Sequence, residues 1–190
     1  MVVVRAREGR KMSPVRFLIL LGFGLIAGIG WAEDLDGAMA AAINAEQGGR
    51  KNITLGAMFQ EEFRQRDGVK ELKGGLLYKV EVSGSGKTPK LSDRVKVRYE
   101  GRHVDGRVFD KSKGEEPQEF RVDRTVAGWQ EVLPLMREGD KWEVVVPSHL
   151  AYGAKGSPFG NIGPNETLVF MIELVDVLEP GEKSSTPAVP

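Results

Sequence analysis

The chain has 190 residues, 41% of them hydrophobic and 28% charged, which is the balance of a globular protein and not of a disordered or collagenous one. Lys+Arg and Asp+Glu both total 27, and there is no cysteine. The even charge argues against the basic face that nucleic-acid binding needs. The missing cysteine excludes disulfides, thiolate nucleophiles and zinc–thiolate sites.

The first segment has the layout of an address. Arg5, Arg7, Arg10, Lys11 and Arg16 precede an uncharged run from Phe17 to Gly30, and small residues stand at Gly30 and Ala32. Basic, apolar, then small is the order of a secretory signal peptide. The run of 14 residues is shorter than the roughly 20 needed to span a bilayer. Cleavage after Ala32 is therefore expected, with an uncleaved anchor as the alternative and Met12 as a second candidate start. Removing residues 1–32 leaves 22 bases against 26 acids, so the mature chain has no charge reason to seek phosphate backbones or anionic lipid. Gly22-Phe-Gly24 and the Gly24–Gly28 spacing lie inside this apolar run and are read as part of it.

Residues 33–75 are expected to form a helical accessory segment. Leu55, Met58, Phe59 and Phe63 recur at helical spacing, with Glu61, Glu62, Arg64 and Arg66 opposite, and Thr54 is a plausible N-cap. That apolar stripe either packs on the chain's own domain or presents a partner-helix face, so the chain is read as a monomer or a homodimer.

From Gly75 the hydrophobic period changes to two. Leu77 to Val82, Val95 to Tyr99, Glu143 to Val146 and Leu168 to Leu178 alternate as strands do, separated by turn signals at Ser83–Gly86, Asp105-Gly106 and Glu138-Gly139-Asp140. Asp105-Gly106 between two such runs predicts a hairpin. Val126 to Met136 reads as one short helix, limited by Pro134. The expected fold is α+β, an antiparallel sheet around one short helix, occupying residues 76–179. The tail, 180–190, lacks large apolar residues and is expected to be disordered.

The usual catalytic sets are missing. Gly84-Ser-Gly86-Lys87-Thr88 imitates a phosphate loop, but Glu81 stands where the first glycine is required and Pro89 follows where a helix should open. His103 and His149 are the two histidines, without a metal-binding spacing. Ser148 beside His149 has no glycine elbow. No metal and no cofactor is expected. What remains is a group of apolar and aromatic residues on turns and strand ends, with Asp110 directly after Phe109.

Those residues carry a resemblance. Val97-Arg-Tyr99-Glu-Gly101 followed by Asp105-Gly-Arg-Val-Phe109-Asp110 resembles the "YxG…DGxxFD" hairpin of FKBP-type peptidyl-prolyl cis/trans isomerases. Val126-Ala-Gly128-Trp129 looks like the family's "VIxGW", and Met136 to Trp142 like "MxxGxKW". Leu150-Ala151-Tyr152-Gly153 and Ile162 to Phe170 resemble "LAYG" and "IPPNATLxF". The likeness runs from about Gly68 to Leu178. The stretch Phe63 to Tyr78 is similar to the entry into the catalytic domain of exported bacterial Mip-like members.

The resemblance implies a proline-isomerase activity on exported polypeptides in the periplasm or beyond, with macrolides as possible inhibitors. It implies Trp129 as the floor of an apolar pocket, Tyr99, Phe109, Phe120 and Phe170 as its walls, and Asp110 as a charge beside the rotating amide. The Val126 N–H and the Tyr152 hydroxyl are implied donors to the substrate. Phe120, Thr125, Val126, Ala151 and Ile162 are implied substrate contacts. Departures from the pattern are Gln118 in place of a second phenylalanine, Ser157 in place of a flap histidine, Gly163 in place of the first flap proline, and a flap one residue longer that holds Phe159. The rival function is a polypeptide-binding chaperone that uses the same cleft without useful catalysis.

Overall fold

The computed structural model describes residues 31–178, and the chain from Ala41 onward forms one compact unit. The signal-peptide reading falls on residues 1–32, of which 1–30 lie outside the described residues, and the tail reading on residues 180–190 lies wholly outside them. The first element is helix α1, Trp31–Arg64. Strands follow at β1 Val69–Glu71, β2 Leu77–Val82, β3 Arg94–His103, β4 Val108–Lys111 and β5 Gln118–Arg121. Helix α2, Ala127–Val132, precedes β6, Lys141–Val146, and β7, Leu168–Leu178.

All strands join one antiparallel sheet in the order β1-β2-β6-β7-β3-β4, with β5 pairing a second part of β3. β3 is the branch point. Its start pairs with β5, Arg94 opposite Arg121, and its end pairs with β4, Gly101 opposite Asp110. The sheet thus opens between β4 and β5 and leaves a mouth on the face that α2 covers. The expected hairpin forms at Asp105-Gly106, where Gly106 has φ 88° and the Gly106 N–H donates to the His103 carbonyl at 2.9 Å.

Strand periodicity sorts side chains onto two faces. Val144, Val146, Leu168, Phe170, Ile172 and Leu174 point toward α2 and meet Trp129, Val132, Leu133 and Met136. Their sequence neighbours Val145 and Val169 point the other way, where Leu77, Phe59 and Phe63 join them. The core helix is short for the expected reason: α2 passes at Leu133 into a single 3₁₀ turn with Pro134 near its start, because proline cannot continue the α-helical ladder.

The sequence places helix across 33–75, but the structure ends it at Arg64. Gly68, with φ 80°, turns the chain into β1, and residues 73–75 form only a 3₁₀ turn. The apolar stripe of α1 also divides. Phe63 is fully buried and Phe59 partly buried against the sheet, whereas Leu55 and Met58 are exposed. The buried line is instead Gly49, Asn52, Gly56, Phe59 and Phe63. A Cβ on Gly56 would overlap Thr167 Oγ1, so the helix approaches the loop before β7 through a glycine. Asn52 Nδ2 donates to the Pro164 carbonyl at 2.9 Å, and Gln60 Nε2 to the Gly75 carbonyl at 3.0 Å.

Candidate active site

The mouth between β4 and β5 is a cavity of about 330 Å³ lined by Tyr99, Phe109, Asp110, Phe120, Arg124, Thr125, Val126, Trp129, Tyr152 and Phe170. Five elements and two loops supply these residues, and α2 brings Trp129 up from beneath. Trp129 is 5% exposed. Its ring meets those of Tyr99, Phe120 and Phe170 edge-to-face, at centroid distances of 5.4, 5.8 and 5.5 Å. Phe109 stands perpendicular to Phe170 at 5.7 Å, and Tyr99 to Phe120 at the same separation. Edge-to-face packing places the positive edge of one ring on the negative face of the next and adds about 0.5–1.5 kcal/mol per pair beyond area burial. The rings therefore hold each other apart as a cup and resist collapsing into the space between them.

Glycines set how close the walls come. A Cβ on Gly101 would stand 2.9 Å from Phe109 Cε2 and 3.0 Å from Phe170 Cε1. Behind Phe109 lies His103, 5% exposed, whose ring edge meets Phe109 at 5.4 Å and whose Nδ1 is 2.8 Å from Glu166 Oε2.

One polar cluster marks the rim. The Tyr99 hydroxyl donates to Asp110 Oδ2 at 2.6 Å, and the Lys111 N–H donates to Asp110 Oδ1 at 2.9 Å. Both carboxylate oxygens are thus held. Burial first, then the hydrogen bond to Asp110, raises the Tyr99 phenol far above its ordinary value. Burial first, then the Asp110 charge, raises the Tyr152 phenol as well. Both tyrosines stay protonated donors at neutral pH. Donors at the cavity without a protein acceptor among the described residues include the Tyr152 hydroxyl, the N–H of Val126, the residue that caps α2, and the buried indole N–H of Trp129.

Most of the residues named from sequence thus meet in one concavity: Tyr99, Phe109, Asp110, Phe120, Thr125, Val126, Trp129, Tyr152 and Phe170. Two do not line it. Ile162 is 5% exposed and belongs to the core, and Ala151 packs against that core. The Thr125 hydroxyl is turned back to the Val122 carbonyl at 2.8 Å. Sequence reasoning missed Arg124, which carried no motif. It noted Gln118 only as a departure, yet Gln118 Oε1 lies 3.3 Å from the Tyr99 hydroxyl. At Gly163 a Cβ would stand 3.0 Å from Asn52 Nδ2, the amide that donates to the Pro164 carbonyl.

An antiparallel sheet branching at β3, with an aromatic cup over α2, is the architecture of the FKBP-type peptidyl-prolyl cis-trans isomerases, and the chain belongs to that family. The family model matches residues 85–175. A crystal structure of a peptidyl-prolyl cis-trans isomerase from Pseudomonas syringae pv. tomato is 40% identical, with TM-score 0.64, covering 68% of this chain and 96% of that one. The crystal structure of FkpA from Escherichia coli is also 40% identical, with TM-score 0.74, covering 78% of this chain and 69% of that one. Among curated relatives, the peptidyl-prolyl cis-trans isomerase Mip of Coxiella burnetii is 48% identical over 115 residues, 60% of this chain and 50% of its own length. The chain spans about half the length of the first curated relatives it matches.

Proposed function

We propose that this chain is a peptidyl-prolyl cis-trans isomerase that accelerates rotation about Xaa-Pro bonds in exported polypeptides. The observation that carries this reading is the aromatic cup itself: rings of Tyr99, Phe120 and Phe170 standing edge-on around Trp129, with unpartnered donors at Tyr152 and Val126.

The chemistry fits such a cup. Rotation about an Xaa-Pro amide crosses a barrier of about 18–20 kcal/mol because resonance stiffens the C–N bond. No bond to the substrate is made or broken, so no nucleophile is required. The twisted transition state has lost amide resonance and with it part of the charge separation that water stabilises. An apolar, water-poor cavity therefore favours it over the planar ground state. The proline ring enters against Trp129 between Phe109, Phe120 and Phe170. The Val126 N–H and the Tyr152 hydroxyl hold substrate carbonyls, and the Asp110 carboxylate faces the carbonyl carbon as it becomes more electron-poor.

The activity is assigned to residues 76–179, with residues 33–75 as an accessory segment. Export rests on the basic–apolar–small order of residues 1–32 and is in keeping with a Legionella longbeachae relative, 41% identical, named Outer membrane protein MIP. The same cup would take a macrolide inhibitor of the family.

The test is turnover of a proline-containing peptide. Asp110→Leu, or Trp129 and Phe109 truncated together, should lower kcat/KM at least tenfold, about 1.4 kcal/mol of transition-state stabilisation. Unchanged turnover would remove these residues from the mechanism. A wild-type chain that suppresses aggregation of a proline-free client but fails on the peptide is a chaperone instead.

A further inference from the structure

Phe159 is 86% exposed, which is costly for so large an apolar side chain, and it sits on a loop that is not slack. The loop is pinned at its neck by two bonds, the Ser157 N–H donating to the Ile162 carbonyl at 2.8 Å and the Ile162 N–H to the Ser157 carbonyl at 3.0 Å. Ile162 anchors it in the core. The Asn165 N–H donates to the Gly153 carbonyl at 2.9 Å and closes the loop's base. Asn161 and Gly160 both take positive φ, 54° and 80°, so the tip is bent back on itself. A solvated aromatic held out by an ordered loop loses little conformational freedom when something covers it.

The loop's tip also touches the cup. A Cβ on Gly160 would stand 3.2 Å from Phe109 Cβ and from Phe109 Cδ2, so the Gly160 backbone packs close to that wall. Adding one bond and one Cα–Cα step puts the Phe159 Cα within about 9 Å of Phe109, and an extended chain covers that in about two to three residues at 3.3–3.6 Å each.

We infer that Phe159 is an anchor for the substrate polypeptide outside the proline cup, taking a large apolar side chain two to three residues from the bound proline. The inference deepens the isomerase reading and rests on it. The occupant is the same chain whose proline fills the cup, because surface continuity through Gly160 and Phe109 makes the second contact intramolecular once the first has formed. A short proline peptide with only small side chains around proline gives Phe159 nothing to bury, whereas an unfolded protein, rich in exposed apolar side chains, does.

The experiment compares Phe159→Ser with the wild-type full chain on three peptides. One is a proline tetrapeptide with alanine at its other three positions. The others are ten-residue peptides that carry either leucine or serine at the second and third positions on both sides of proline. Phe159→Ser should raise KM for the leucine peptide about fivefold to tenfold, the loss of one apolar side-chain contact, and leave the tetrapeptide and the serine peptide unchanged. Phe159→Leu should restore most of the difference. Equal losses on all three peptides, or no loss on any, would overturn the inference. Fluorescence anisotropy of the labelled leucine and serine peptides reads the contact without turnover. A leucine preference that depends on Phe159 in a chain with no turnover would sink the isomerase reading and keep the anchor. A Phe159→Ser chain with unaltered peptide affinity would sink the anchor alone.

Discussion

Gly101→Ala puts a single methyl into the tightest part of the cup. Gly101 pairs with Asp110 on β4 and with Phe170 on β7. Its Cβ would stand 2.5 Å from Phe109 Cζ and 3.0 Å from Phe170 Cε1. Carbon atoms in contact settle at about 3.5–4.0 Å, so the Phe109 ring must retreat by about 1 Å. Its retreat is blocked on two sides. Gly160 packs close, since a Cβ on it would already stand 3.2 Å from Phe109 Cβ and Cδ2, and the His103 ring, held by Glu166, meets its edge. Replacing glycine in a strand recovers about 0.5–1 kcal/mol of backbone entropy, whereas overpacking a fixed core costs about 1–3 kcal/mol. The second effect wins, with a net loss of up to about 2.5 kcal/mol. At about 2–4 °C per kcal/mol, Tm should fall by no more than about 10 °C. Turnover should fall further, by at least tenfold, because a displacement of about 1 Å in a preorganised site can cost as much as a hundredfold. Calorimetry and a proline-peptide assay on the same preparation read the two numbers. Full turnover with unchanged Tm would show that Phe109 is free to move and that the cup is not wedged.

Three further outcomes follow from the same geometry. The Tyr99 and Tyr152 phenols are both raised, so their neutral, donating forms are favoured in the folded chain. What they contribute is fully present below the unfolded tyrosine value of about 10 and is lost only as pH rises through the higher folded values. Peptide turnover should therefore be flat from pH 7.5 to about 10, and a decline centred near pH 9 that disappears in Tyr152→Phe would contradict this. Asp140, 6% exposed, accepts the N–H groups of Gly84 and Arg137, each at 2.6 Å. Asp140→Ala should cost about 2–4 kcal/mol in urea unfolding by stranding both donors while leaving turnover of the folded chain intact, and a loss below about 1 kcal/mol would mean that water replaces the carboxylate. Gly56→Leu places a side chain into Thr167, so it should lift α1 from the loop before β7 and expose Phe63. Faster tryptic cleavage at Arg64 reads this, and unchanged protection would place the docking elsewhere.

How much of this was legible in the sequence depended on whether the signal was local. The Asp105-Gly106 hairpin, the short helix ended near Pro134, and the alternation of β6 and β7 all follow from neighbours a few residues apart. The cup's members could be named because each occupies a short motif, but their convergence could not be read from periodicity. Tyr99 and Phe170 lie 71 positions apart, on strands whose register places Phe170 opposite Gly101. The docking face of α1 is only half legible for a related reason. Hydrophobic periodicity finds large apolar residues, and of the four it marks Phe59 and Phe63 pack while Leu55 and Met58 are exposed. The contact is made through Gly49, Asn52 and Gly56, whose value lies in how little space they occupy. The flap motif implies Ile162 as a substrate contact, yet its side chain is 5% exposed and packs in the core. Gln118 was read as a missing aromatic, although its position beside the Tyr99 hydroxyl gives it a polar neighbour that a phenylalanine could not serve.

Stability and activity should separate at this site according to burial and not according to distance from the substrate. Trp129 and Phe170 are 5% and 4% exposed and tie α2 to β7. Truncating either removes a core side chain worth about 3–5 kcal/mol as well as part of the cup, so lost turnover there is confounded with lost fold. Asp110 is exposed and Tyr152 is 38% exposed, and neither fills the core. Substitutions at these two positions change the charge and the donor at the rim while leaving the rings in place. A cup that works by excluding water should keep much of its catalysis when Asp110 becomes Asn, since the shape survives. A cup that works chiefly by the field of the Asp110 carboxylate should lose it. Comparing Asp110→Asn with Asp110→Leu at equal Tm therefore separates desolvation from electrostatics in a site that has no reacting group to titrate.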